Sequence, residues 1–115
     1  MVNDCIFCKI AAGSIPARLA YQDDQLVAFY DLNPQAPTHI LVIPRRHLPG
    51  LAEAEPGDQA LLGHLLLVTR RIAEQEGIAA SGFRVVINTH ADAGQSVPHL
   101  HAHILGGRRL GWPPG

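Results

Sequence analysis

Residues 95–105 read QSVPHLHAHIL, and they place three of the chain's seven histidines at every second position: His99, His101 and His103. A period of two is the period of a β-strand, whose successive side chains point to opposite faces of a sheet. The spacing predicts a strand over 98–105 with the three imidazoles on one face. Leu100, Ala102 and Ile104 then point the other way, toward a core. Neighbouring histidine Cα atoms on such a strand stand ~6.6 Å apart.

The rest of the fold builds outward from this strand. Upstream, FRVVIN reads as a second strand and THADAGQS as the loop between the two. Leu61, Leu65, Val68 and Ile72 recur at helical spacing, which predicts a helix from Gln59 to Glu76 with Gly77 placed to end it. HILVIP is a near-continuous apolar run and reads as a buried strand. LAYQ and LVAFYD flank the turn residues Asp23 and Asp24, as in a hairpin. NPQAPT is a loop with Pro34 and Pro37 as breakers, and LPGLAEAEPGD is turn-rich. Residues 5–12 read as a short helix ending at Gly13. The order hairpin, strand, helix, strand, strand predicts an α+β domain: about five antiparallel strands, one main helix and a short N-terminal helix. The tail, residues 106–115, is too rich in Gly and Pro to be regular.

Composition narrows the function. A length of 115 residues suits one domain, and 47% hydrophobic residues are ample for its core. Charged residues are only 17%, which leads to the expectation that some surface is covered in an oligomer. The net charge is −1, and basic residues cluster only as the pairs Arg45-Arg46, Arg70-Arg71 and Arg108-Arg109. A nucleic-acid partner needs a broader basic footprint. No apolar run reaches 18 residues, so no membrane span is expected. The stretch MVNDCIFCKIAAG lacks the basic start and long apolar run of a signal peptide. Two cysteines without an export signal point to a reducing, cytoplasmic setting rather than a disulfide.

The histidine row has three readings: a solvated strand face, a metal site, or an imidazole nucleophile with helpers. Its flank favours the third. Gly94 lets backbone N–H groups approach an anion closely, and Gln95 and Ser96 add polar groups. Donors beside a histidine row suit a phosphate better than a metal. CIFC at residues 5–8 is a Cys-x-x-Cys pair without the βαβ setting of a redox site. Two buried cysteines, or a metal site joined by histidines, remain as readings of it. His64 on the main helix is expected toward solvent, and His90 lies in the loop before the row; neither is assigned a role.

The stretch GQSVPHLHAHILGGR follows the pattern His-φ-His-φ-His-φ-φ, with φ apolar. With IFCKI, IPA, FYDLNPQAPTHILVIPRRH, FRVVIN and GWPPG, the chain resembles the histidine triad (HIT) family along nearly its whole length. The terminal WPPG resembles the Hint branch, the histidine triad nucleotide-binding proteins. The resemblance implies a HIT-like fold, one HIT domain over 1–115, and a homodimer whose site the tail 106–115 helps to build. It implies a purine nucleoside phosphoramidase that cuts the P–N bond of nucleoside 5′-monophosphoramidates through a nucleotidyl-histidine intermediate. His101 would be the nucleophile, His103 would sit by the phosphate, and His99 and His39 would support the row. Ser96 would serve the leaving group. The nucleotide would meet Asp31 at the ribose, Asn88 near ribose and phosphate, and Gly94, Gln95, Ser96 and Val97 in the loop. Ile6, Phe7, Phe29 and Leu32 would form the base slot, and Trp112 would reach the partner's site. No cofactor is implied for catalysis. A structural zinc held by Cys5, Cys8, His47 and His99 is implied by relatives that carry the cysteine pair. Hydrolysis of dinucleoside polyphosphates or aminoacyl adenylates, and a nucleotide-binding scaffold or regulatory role, are the rival functions. Pro98 stands where some Hint relatives carry an aromatic residue.

Overall fold

The computed structural model describes residues 4–115. The first three positions, part of the stretch read above for a leader, lie outside the described residues. Five strands form one antiparallel sheet: β1 (Leu19–Gln22), β2 (Leu26–Tyr30), β3 (Thr38–Pro44), β4 (Phe83–Val86) and β5 (Ala102–Gly106). Their spatial order is β1-β2-β3-β5-β4, so β5 inserts between β3 and β4.

The near-continuous apolar runs of β2 and β3 have a simple cause: both faces of the sheet are covered. On one face Leu26, Ala28, Ile40, Val42, Ala102 and Ile104 pack against Leu65, Val68, Ile72 and Ala73 of the main helix, α2 (Gln59–Gln75). On the other, Val27, Phe29, Leu41 and Ile43 pack around Phe7 of the short helix α1 (Ile6–Ala11). Helix α2 stops where the sequence said it would. Gly77 is left-handed at φ 76°, and Ile78 N–H reaches back to the Ala73 carbonyl at 3.0 Å. That pair of features is a Schellman stop.

Two differences from the sequence reading matter for the site. The loop THADAGQS contains a short helix, α3 (His90–Ala93), closed by Gly94 at φ 81°. The strand expected over 98–105 pairs with β3 only from Ala102, opposite Val42. Before that point the backbone is already committed elsewhere. His99 N–H bonds the Val97 carbonyl at 2.8 Å, and Leu100 N–H bonds the Leu48 carbonyl at 2.6 Å. Pro98 has no N–H to offer a ladder.

Candidate active site

The alternation of the row outlives the shortened strand. Leu100, Ala102 and Ile104 are buried with α2, while His99, His101 and His103 turn to the Phe7 face. The Phe7 ring lies 5.9 Å from that of His99 and 5.1 Å from that of His101. The rings of His101 and His103 are 5.1 Å apart. Sheet register adds the other neighbours. Leu41 lies opposite both Phe29 and His103, and His39, two residues before Leu41 on β3, is on the same face.

Hydrogen bonds to groups of fixed polarity set the tautomers. His101 Nδ1 is 2.7 Å from the His99 carbonyl. A carbonyl only accepts, so Nδ1 carries the hydrogen and Nε2 of the neutral ring is a lone pair. His99 Nε2 is 2.8 Å from the Pro44 carbonyl, so here Nε2 carries the hydrogen and Nδ1 is the lone pair. His39 receives the Gln35 backbone N–H on Nδ1 at 3.0 Å, which puts its hydrogen on Nε2. That Nε2–H faces His103 Nδ1 at 2.9 Å, which leaves the hydrogen of neutral His103 on Nε2. Adjacent imidazoles thus present opposite faces: an acceptor from His101 and a donor from His103. Both members of the second pair stay neutral near pH 7. Burial, aided by His101 and His39 and opposed by Asp31, pushes His103 down to about 4, and burial lowers His39 against the pull of Asp31. The 3.5 Å approach of His39 Nε2 to Asp31 Oδ2 is therefore a contact of a neutral ring with a carboxylate.

His101 and His103 stand in the wall of a cavity of about 310 Å³. Ile6, Phe7, Ile10, Ile15, Phe29 and Leu41 make it mostly apolar, and Asp31, Ser96 and Arg18 add polar groups to its wall. A second cavity, of about 410 Å³, shares Ile6 and Ser96 with the first and is otherwise lined by Asp4, Cys5, His47, Val97 and Pro98.

Among the described residues two clusters have metal-ligand composition: Cys5, Cys8, His47 and His99, and Asp31, His39 and His103. The tautomers separate them. In the first, the lone pair of His99 Nδ1 lies 3.2 Å from Cys5 Sγ, 3.5 Å from Cys8 Sγ and 3.2 Å from His47 Nδ1. Cys8 Sγ is 3.2 Å from His47 Nδ1. Tetrahedral zinc sets nitrogen ligands ~3.3 Å apart and a sulfur and a nitrogen ~3.6 Å apart. The donor set, two thiols and two imidazoles, is one zinc prefers, and the Pro44 carbonyl orients His99 from behind as a supporting group does. Without a cation the Cys8 thiol keeps its proton: burial, then the Cys5 sulfur, pushes it up to about 11. In the second cluster the Gln35 N–H demands the lone pair of His39 Nδ1, so Nε2 carries hydrogen and cannot ligate. That cluster is a hydrogen-bonded pair.

The HIT domain family matches residues 12–110 of the chain. The chain belongs to the HIT family. Uncharacterized HIT-like proteins of Synechocystis sp. and Synechococcus elongatus are 55% and 56% identical to it over 115 residues, covering all of both chains in each case. Among solved structures, a HIT family hydrolase from Legionella pneumophila is 44% identical, with 97% of this chain and 100% of that one aligned and a TM-score of 0.96. A histidine triad protein from Clostridium difficile is 47% identical over 94% of each chain, with a TM-score of 0.92. Helix α1 and its cysteines precede the matched HIT span.

Within this HIT fold the expected residues divide. Ile6, Phe7, Phe29, Asp31, Leu32, Ser96, His101 and His103 meet at the first cavity, although Leu32 is 99% exposed. Asn88, Gly94, Gln95, Val97 and Trp112 are not in its wall. The backbone N–H groups of Gly94 and Gln95 are spent inside the loop, on the Ala91 and His90 carbonyls. The Gln95 side chain braces the loop instead, bonding the Pro49 and Val97 carbonyls and receiving His90 N–H. His64 does not simply face solvent: its Nε2 is 2.7 Å from Asp23 Oδ2. Sequence reasoning missed Leu41, Ile10, Ile15 and Arg18 in the wall. Leu41 could have been found, since it shares the face of His39 two residues away; the others depend on how α1 and the segment after it fold back.

Proposed function

We propose that this HIT protein is of the Hint branch and is a purine nucleoside phosphoramidase, a hydrolase of the P–N bond in nucleoside 5′-monophosphoramidates. The observation that carries the reading is the bond from His101 Nδ1 to the His99 carbonyl, 2.7 Å. It leaves the His101 Nε2 lone pair on the wall of an apolar cavity that also holds a carboxylate. The Legionella pneumophila relative is described as a HIT family hydrolase, the same class of chemistry.

In this reading Phe7, Phe29, Leu41 and Ile6 take the purine, with little polar readout to tell adenine from guanine. Asp31 accepts from the ribose hydroxyls. His101 Nε2 attacks phosphorus, the P–N bond breaks, and the amine leaves with a proton passed from solvent through the Ser96 hydroxyl. His103 Nε2–H donates to a phosphate oxygen, where charge builds in the transition state. Water then attacks the nucleotidyl-His101, releases the monophosphate and restores the neutral ring.

Cys5, Cys8, His47 and His99 would hold a structural zinc. A closed four-ligand zinc supplies rigidity, and here it would fix the segment whose His99 carbonyl orients His101. The protein would act as one HIT domain in a homodimer. β4 is an unpaired sheet edge, Arg84 holds the Gly111 carbonyl at 2.8 Å, and Trp112 is 82% exposed on that side. A two-fold partner would cover the edge and meet Trp112. Free thiols kept for a metal suit a reducing, cytoplasmic setting.

The test is hydrolysis of a fluorogenic adenosine 5′-phosphoramidate by the native protein and by His101→Ala, with EDTA present. Turnover that falls about a thousandfold or more in the variant is expected. A native protein that cleaves diadenosine polyphosphates but leaves the phosphoramidate intact would overturn the reading.

A further inference from the structure

We propose that Arg108, in the tail after β5, is a positioning residue for the His39–His103 pair. It holds the loop at Gln35 in the arrangement that fixes which nitrogen of each ring carries hydrogen. Only the kinetic part of its test rests on the phosphoramidase reading.

Gln35 is pinned at both ends. Its N–H donates to His39 Nδ1 at 3.0 Å, and its carbonyl accepts from Arg108 Nη2 at 2.9 Å. Its side chain is exposed, so hydrogen bonds rather than burial of Gln35 itself hold it in place. The second amino group of Arg108 donates to the Arg109 carbonyl at 3.0 Å, which fixes the fork. Among the described residues Arg108 forms no ion pair with a carboxylate. Its charge is spent on two carbonyls, a task for a planar guanidinium that a lysine performs only in part. The tail is seated for this reach by Gly107. That residue is at φ 90°, and an added Cβ would lie 2.9 Å from Pro37 Cβ in the same loop.

The consequence follows from donor and acceptor counting. If the Gln35 N–H leaves His39 Nδ1, that nitrogen is free to take the hydrogen. His39 Nε2 then turns from donor to acceptor toward His103 Nδ1. His103 must place its hydrogen on Nδ1 to keep the bond, and its Nε2 then faces the substrate as a lone pair. A group that should bind a phosphate oxygen would repel it.

The experiment compares the native protein with Arg108→Ala, Arg108→Lys and the neighbouring control Arg109→Ala. Nitrogen-15 spectra of labelled histidine read the tautomers, and phosphoramidate hydrolysis reads the consequence. The native protein and Arg109→Ala should each show His39 and His103 with hydrogen on Nε2. Arg108→Ala should show mixed tautomers and a kcat lower by ~10- to ~100-fold with KM little changed, and Arg108→Lys should lie between. If Arg108→Ala melts too low to study, Arg108→Lys carries the same comparison with a smaller shift. Unchanged tautomers in the Arg108 variants would overturn the proposal. A native protein inert toward phosphoramidates would sink the functional reading and leave the tautomer comparison to decide this one.

Discussion

An imidazole has no fixed role until a group that only accepts, or only donates, faces one of its nitrogens. In this chain carbonyls face His99 and His101, and an amide N–H faces His39. Those three bonds give like residues different faces: a lone pair toward the cysteines on His99, a lone pair on Nε2 of His101, and a donor pair in His39 and His103. The row itself was legible in the sequence from its period of two. The tautomers of His99 and His39 were not, because Pro44 and Gln35 are brought to the row by chain reversal and not by spacing. The depressed pKa of His103 gives a pH dependence of stability. The ring, facing Asp31, His39 and His101, moves from 6.5 to about 4 on folding. Between those values the unfolded chain binds the extra proton, so this stability is fully present above 6.5 and is lost as pH falls toward 4. From about pH 7 to about pH 4.5, the melting temperature should fall less steeply in His103→Gln than in the native protein. Equal slopes would contradict this.

Among the elements, the periodic ones were the most legible. Helix α2 begins at Gln59 as read and stops on Gly77, and the hairpin turns at Asp23 and Asp24. What the pattern could not say is which acid makes the turn and what it meets. Asp23 Oδ1 accepts the N–H groups of Gln25 and Leu26, both at 2.8 Å, while Oδ2 accepts from Tyr21 and from His64 on α2, both at 2.7 Å. A turn former and a histidine assigned to solvent together tie the hairpin to the helix. Asp23→Ala should cost roughly 1–3 kcal/mol by chemical denaturation, since it orphans several donors at once, and should leave kcat near its native value. A loss of activity without a loss of stability would contradict that placement. The strand over 98–105 was overread because alternation marks which way side chains point, whereas pairing needs free N–H groups, which Pro98, His99 and Leu100 do not bring to β3.

At the scale of the whole molecule, the sheet separates packing from chemistry. One face is closed by α2, and the other carries α1, the cavity and the histidines. The α+β order of five strands was readable from the chain, but the insertion of β5 between β3 and β4 was not, and it is this crossover that brings His39 beside His103. The cysteines of α1 join the row only through that packing. The purified protein should carry about one zinc per chain, and Cys8→Ser should lose it and melt lower, with hydrolysis weakened but not abolished. Equal zinc content in the two proteins would contradict the ligand set. Covalent catalysis by His101 is tested by rapid acid-free quenching of the native protein during turnover of an adenosine phosphoramidate, followed by intact-mass and peptide analysis. One adenylyl group on His101 Nε2 is expected. Steady turnover with no adduct on His101 at any time, and undiminished turnover by His101→Ala, would contradict it.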